Sequence, residues 1–218
     1  LEHTDMPQRV AFSPDLGVVP MEAEVANICE IAAERFSEIG AHVDHGAPDF
    51  SGAIEAFQTL RGVLIAQMME SILIEHREQI APEIIWNIEK GLGVTNAQLL
   101  DAERVRSRLY RQMENFFEEY DLLLCPTVSV PPFPKDQRYV DVIAGQPTQT
   151  YIDWIAITFA ITMTSCPALS LPVGFTESGL PVGLQVIGRP RGEAALLRAC
   201  HRMEEVLGLA GQVPIDPR

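Results

Sequence analysis

The chain has 218 residues, 47% hydrophobic and 21% charged, enough for one large domain that buries roughly 70% of its unfolded surface, so disordered and fibrous classes are excluded. Thirty acidic against sixteen basic residues leave a formal net charge of -14. A field of that sign repels phosphate backbones and anionic lipid head groups, and direct binding of nucleic acid or membrane is not expected. The four cysteines, Cys29, Cys125, Cys166 and Cys200, contain no CxxC pair; they offer no zinc template and suit reduced thiols in a cytoplasmic protein. No signal peptide is legible, and the chain opens at Leu1 without an initiator methionine, which raises the expectation that residues lie upstream.

Residues 9–45 predict a βαβ unit: a short strand at Val10, Ala11 and Phe12, a turn at 13–17, a helix from Pro20, and a parallel strand around Val43. Val25, Ile28, Cys29, Ala32, Phe36 and Ile39 recur at spacings of three and four, so they form the helix's buried stripe, and Gly40 is its stop. A second helical stretch covers 49–80, with Ile54, Phe57, Leu60, Leu64 and Met68 expected inward. A shorter helix over 84–89 is expected to end at Gly91. Thr95 and Gln98 have capping-box spacing, ahead of a helix that buries Ala102, Val105, Leu109, Met113, Phe116 and Tyr120. Its arginines, Arg104, Arg106, Arg108 and Arg111, alternate with glutamates and read as a salt-bridged solvent face.

The unbroken apolar run 121–126 predicts a fully buried strand, and the proline-rich segment 126–147 a surface loop. Thr148 is the expected cap of a helix over 149–162. The stretch 154–175 runs 22 residues without a charge, the length of a membrane span. Pro167, Pro172 and Gly174 interrupt it, so it reads as a buried helix leading into a buried strand. Strands at 168–175 and 181–188 form a hairpin about the turn 176–179, and a last helix runs over 192–207 to a stop at Gly208. The fold class is α/β, a mixed sheet flanked by helices.

Chemistry is harder to find. Gly-x-Ser-x-Gly, adjacent serines and adjacent glycines are all absent, which excludes the P-loop and dinucleotide cradles. The two lysines, Lys90 and Lys135, read as solvated at a helix end and in a loop. Cys166, before a proline at a helix-to-strand junction, is a candidate nucleophile whose histidine would come from His3, His42, His45, His76 or His201. Cys125 and Cys200 lie on apolar stripes and read as core. His42 and His45 point to opposite faces of a strand, so they do not share a metal ion. Asp15, Asp44 and Asp49 are explained by loop and cap roles. No metal site and no organic cofactor is expected.

Three stretches carry a resemblance. Arg9-Val-Ala-Phe-Ser-Pro-Asp with Phe36-Ser-Glu-Ile-Gly-Ala-His-Val and Ala47-Pro-Asp-Phe, then Tyr120-Asp-Leu-Leu-Leu-Cys-Pro-Thr127 with Val130-Pro-Pro-Phe-Pro134, and above all Cys166-Pro-Ala-Leu-Ser-Leu-Pro-Val-Gly-Phe followed by Gly179-Leu-Pro-Val-Gly-Leu-Gln-Val-Ile-Gly188, resemble the amidase signature family. The resemblance covers nearly the whole chain and implies that 1–218 is the C-terminal portion of a single amidase domain, a partial domain whose partner is the missing N-terminal half. Family members use a lysine, a bridging serine in a cis peptide and a nucleophilic serine, in a glycine- and serine-rich stretch upstream of everything matched. The resemblance therefore implies no catalytic residue in this chain, a small-molecule amide as substrate, and inactivity of the chain alone. It places substrate contacts at Asp153 first, Tyr151 second and Thr127 third, with helix capping and ordinary packing as the competing roles. The transfer-RNA-dependent branch bears an arginine where this chain has 86–93 without one, which favours a general amidase. The alternatives are a non-catalytic interaction module or amidotransferase subunit fragment, and a cysteine hydrolase using Cys166. Loss of sheet neighbours further predicts exposed apolar surface and self-association into homo-oligomers.

Overall fold

The computed structural model describes residues 6–209. Its sheet is built from β1 (Arg9–Phe12), β2 (His42–His45), β3 (Leu122–Pro126), β6 (Ala168–Phe175) and β7 (Pro181–Gly188), in the order β2-β1-β3-β7-β6. β1 is parallel to both β2 and β3, while β7 is antiparallel to β3 and to β6, so the sheet is mixed, as expected. β3 is wholly buried because it is central. Leu122 and Leu124 enter one core while Leu123 and Cys125 enter the other, as the period of two requires. The first core lies under α1 (Ala23–Glu34) and α6 (Glu193–Leu207), the second under α2 (Ala53–His76), α4 (Asn96–Glu119) and α5 (Ala156–Thr162).

α1 runs into a 3-10 turn over Arg35–Ile39 and stops at Gly40, whose φ of 96° is left-handed, a conformation that costs glycine nothing. α6 ends the same way at Gly208. The Thr95 capping box is formed with both of its bonds, and Arg104 and Arg106 pair with Asp101 and Glu103 along α4. The hairpin of β6 and β7 pairs Leu171 with Leu184 and has a bulge between Pro172 and Gly174.

Three expectations are corrected. Only the first half of the predicted α2 stripe is inward: Ile54, Phe57 and Leu60 pack on the second core, but Leu64 and Met68 are 55% and 67% exposed. The buried line further along is Gly62, Ala66 and Leu73, because α2 packs closely on α3 (Pro82–Leu92) through small residues. The predicted end of α3 at Gly91 is wrong for the same reason: Gly91 is inside the helix, and a Cβ there would sit 1.9 Å from Gly62 O. Thr148 is not a cap. Its hydroxyl donates to Val140 O at 2.9 Å, and the expected helix 149–162 is a loop, a 3-10 turn (Asp153–Ile155) and then α5.

The loop 126–147 contains a two-residue hairpin, β4 (Val142–Ile143) with β5 (Gln146–Pro147), turning through left-handed Ala144 and Gly145. The uncharged stretch 154–175 resolves into the short, buried α5 and strand β6, and here too the expectation is corrected: β6 is an edge strand in which only Leu171 and Val173 are buried. Among the described residues no helix is long and apolar enough to cross a membrane.

Candidate substrate-binding wall

The segment 148–154 borders two neighbouring cavities, one lined by Asp153 and the other by Tyr151. Asp153 lines a cleft of about 670 Å³ together with Glu55, Gln58 and Lys90, within the size range of small-molecule sites. Tyr151 lines a neighbouring pocket of about 350 Å³ with Trp86 and Tyr139. Residues Thr148, Gln149 and Thr150 form a wall shared by both. Thr127, at the end of β3, stands apart beside β6 and β7.

The Asp153 carboxylate shapes that shared wall. Its Oδ2 accepts from Gln149 N at 2.6 Å and Thr150 N at 3.0 Å, and Oδ1 accepts from the Thr150 hydroxyl. An ionised carboxylate offers about four lone-pair sites, so one acceptor position on Oδ1 remains. Lys90, read from sequence as solvated, is instead part of the cleft. Its ammonium stands 4.8 Å from the centre of the Trp86 ring. Burial pushes it below the usual lysine value, as does the like charge of Arg61, while Asp153 and Glu55 act in the opposite direction. Gln58 is buried in the same wall, and its Oε1 has no partner among the described residues.

Tyr151 is held by two residues that sequence reasoning missed. Arg61 Nη2 and Asn87 Nδ2 donate to its hydroxyl at 2.6 and 2.7 Å, Asn87 Nδ2 also reaches Glu83 O at 2.6 Å, and Arg61 donates to Asn87 Oδ1. With both lone pairs of the hydroxyl engaged, its own proton remains to be donated. A polar residue on an otherwise apolar helix face, as at Asn87, was the available signal. Thr127 Oγ1 lies 2.8 Å from Ser170 Oγ, its N–H donates to Gly183 O at 3.0 Å, and its carbonyl accepts from the Thr158 hydroxyl.

The other candidates take structural places. Cys166 is partly buried, and burial raises its thiol above the usual value, with a hydrogen bond to Thr164 opposing it; its Sγ lies 3.8 Å from Thr164 O, and the net direction disfavours a thiolate. The Cys125 and Cys200 thiols are both pushed up to about 12 by burial, as core cysteines. Asp15 and Asp49 accept from Gly17 N and Ser51 N, and Asp44 pairs with Arg9 at 2.8 Å. His42 approaches Asp44 and His45 approaches Glu30; among the described residues no cluster of three metal-ligating side chains occurs. His3 lies outside the described residues.

The comparisons with known proteins agree with this fold. A family model described as Amidase matches residues 1–197: the chain belongs to the amidase signature family. It is 29% identical over 213 residues to an acylamidase of Rhodococcus erythropolis, covering 95% of this chain and 44% of that protein. It is 34% identical over 209 residues to a glutamyl-tRNA(Gln) amidotransferase subunit from Moorella thermoacetica, covering 85% of this chain and 42% of that one. The crystal structure of a bacterial aryl acylamidase of the amidase signature family superposes with a TM-score of 0.81 at 22% identity, over 92% of this chain and 44% of that chain. This chain thus spans less than half the length of these relatives.

Proposed function

We propose that residues 1–218 are the C-terminal portion of a single amidase domain, and that the whole domain hydrolyses a small-molecule amide, RCONH2 plus water giving RCOOH plus NH3, without metal or organic cofactor. The observation that carries this reading is family membership over 1–197 combined with coverage of 44% of the acylamidase relative. In this reading the upstream portion supplies the nucleophilic serine, the bridging serine and the lysine that draws a proton through it. This chain supplies a wall of the substrate pocket. The spare acceptor on Asp153 Oδ1 takes a substrate N–H, the free proton of the Tyr151 hydroxyl meets a substrate oxygen, and Thr127 borders the site at the end of β3. Four free cysteines, three of them buried, support a cytoplasmic location.

The test compares the chain alone with the chain mixed with the upstream portion of its domain. Alone, it should release no ammonia from simple amides and take up no serine-directed fluorophosphonate; with the upstream portion, both should appear. Stoichiometric labelling of a serine in the isolated chain would overturn the assignment of roles. A second reading, a component of a transfer-RNA-dependent amidotransferase, is favoured by the 34% identity to the Moorella protein. It predicts glutamine as the preferred amide, and the lack of an arginine in 86–93 weighs against it.

A further inference from the structure

On the far side of the Thr148–Thr150 wall from the Asp153 cleft, the pocket of about 350 Å³ is lined by three aromatic residues: Trp86 from α3, Tyr139 from the loop before β4, and Tyr151. The planes of Trp86 and Tyr151 stand at 86° with centroids 6.3 Å apart, and those of Tyr139 and Tyr151 at 67° with centroids 6.5 Å apart. Near-perpendicular planes at this spacing allow one cation to stand about 4.5 Å from both centroids, inside the reach of a cation–π contact of about 6 Å.

The chain already places cations against two of these rings from outside the pocket. Lys90 Nζ lies 4.8 Å from the Trp86 centroid and Arg61 Cζ 5.7 Å from that of Tyr151, yet Lys90 lines the Asp153 cleft and neither cation lines this pocket. The pocket wall holds no lysine or arginine at all; it holds two carboxylates, Glu83 and Asp141. Arg138 pairs with Glu83 at 2.8 Å, which leaves Asp141 as the counter-charge for a guest. The net charge of -14 draws cations toward the surface as a whole. Aromatic faces select among them, because a methylated ammonium sheds water more readily than a bare ion and presents apolar methyl groups to the rings. A closed cavity of about 150 Å³ accepts benzene, so about 350 Å³ holds a trimethylammonium head with part of the chain attached to it.

We propose that Trp86, Tyr139 and Tyr151 form a cage for the quaternary ammonium group of a small molecule, with Asp141 as its counter-ion. Tyr151 uses its ring here while its hydroxyl stays with Arg61 and Asn87, and binding at the cage requires no amide hydrolysis.

The test is a titration of the full 218-residue chain. In the Trp154→Phe background Trp86 is the remaining tryptophan, and its fluorescence should change saturably with choline chloride. Potassium chloride at the same ionic strength, and 3,3-dimethylbutan-1-ol, which has the shape of choline without its charge, should produce no saturable change. Tyr139→Ala, at a partly exposed loop position, should raise the Kd for choline roughly tenfold or more with an unchanged circular dichroism spectrum. Tyr139→Phe, which keeps the ring, should bind as the parent does, and Asp141→Asn should bind more weakly. The absence of a saturable response to choline, an equal response to the neutral alcohol, or a Kd indifferent to Tyr139→Ala would each overturn the cage.

Discussion

Asp153 carries two roles that a single substitution can separate. Three of its four acceptor sites bind Gln149 N, Thr150 N and the Thr150 hydroxyl, and the fourth is free. In Asp153→Asn the side-chain amide retains one accepting oxygen, so part of the loop closure survives while the charge and the spare acceptor are lost. A charge-assisted bond to substrate is worth roughly 1.5–3 kcal/mol, so kcat/KM in the assembled protein should fall by roughly tenfold or more. Thr150→Val, which removes a bond internal to the loop and leaves the Asp153 charge, should lower the melting temperature with a smaller kinetic effect. Equal kinetics in wild type and Asp153→Asn would reduce Asp153 to a loop-closing residue. Asp44 supports a pH prediction: the Arg9 guanidinium holds its carboxyl below the usual range, with burial opposing and His42 assisting. A depressed carboxylate stabilises the fold above its unfolded pKa of about 3.9, and that contribution is lost as pH falls through the lower folded value. The melting temperature of Asp44→Asn should therefore lie below wild type at pH 7 and converge with it toward pH 3, in a thermal melt series.

At the scale of elements, the α2–α3 pair shows where side-chain periodicity stops being a guide. The strand β3, the hairpin of β6 and β7, the α4 cap and the α1 stripe were all legible, because each depends on local pattern: an apolar run, a turn-flanked alternation, a Thr-x-x-Gln start, a stop at Gly40. The inward face of α2 was not. Leu64 and Met68 outrank Gly62 and Ala66 in hydrophobicity, yet the glycines win the interface because they let two helix backbones touch, a property of the pair and not of either helix. The site was half legible for a similar reason. Asp153 and Tyr151 sit in one short segment, but the Arg61, Asn87 and Lys90 that surround them arrive from α2 and α3 through that same packing. Gly91→Ala tests it. Alanine gains about 1 kcal/mol of helix propensity, but the new methyl would meet the Gly62 carbonyl at 1.9 Å, and backbone cannot yield as a flexible side chain does. Overpacking of this kind costs about 1–3 kcal/mol, so the net change should be destabilising in urea unfolding, with Tyr151 displaced. A neutral or stabilising result would show that the helices separate at little cost.

For the whole molecule, the proposed partial-domain reading predicts surface that an upstream portion would cover. Leu64, Met68 and Ile72 stand exposed at successive turns of α2, and β6 ends the sheet with no further strand beyond it among the described residues. Exposed apolar rows and free strand edges favour association, while a net charge of -14 opposes contact between copies. Self-association should therefore strengthen with added salt, which screens that repulsion over about 10 Å at 0.1 M. The complementary portion of the domain should compete with it. At a concentration 100 times its Kd, a partner that binds the folded state alone stabilises by about 2.7 kcal/mol. For a chain of this size each kcal/mol moves the melting temperature by about 2–4 °C. Adding the upstream portion should accordingly raise the melting temperature by about 5–11 °C and convert salt-dependent oligomers into a single heterodimer in light scattering. A monodisperse monomer at every ionic strength, with an unmoved melting temperature in the presence of that portion, would mean that the exposed α2 row and the β6 edge are finished surfaces, and that residues 1–218 fold as a complete unit.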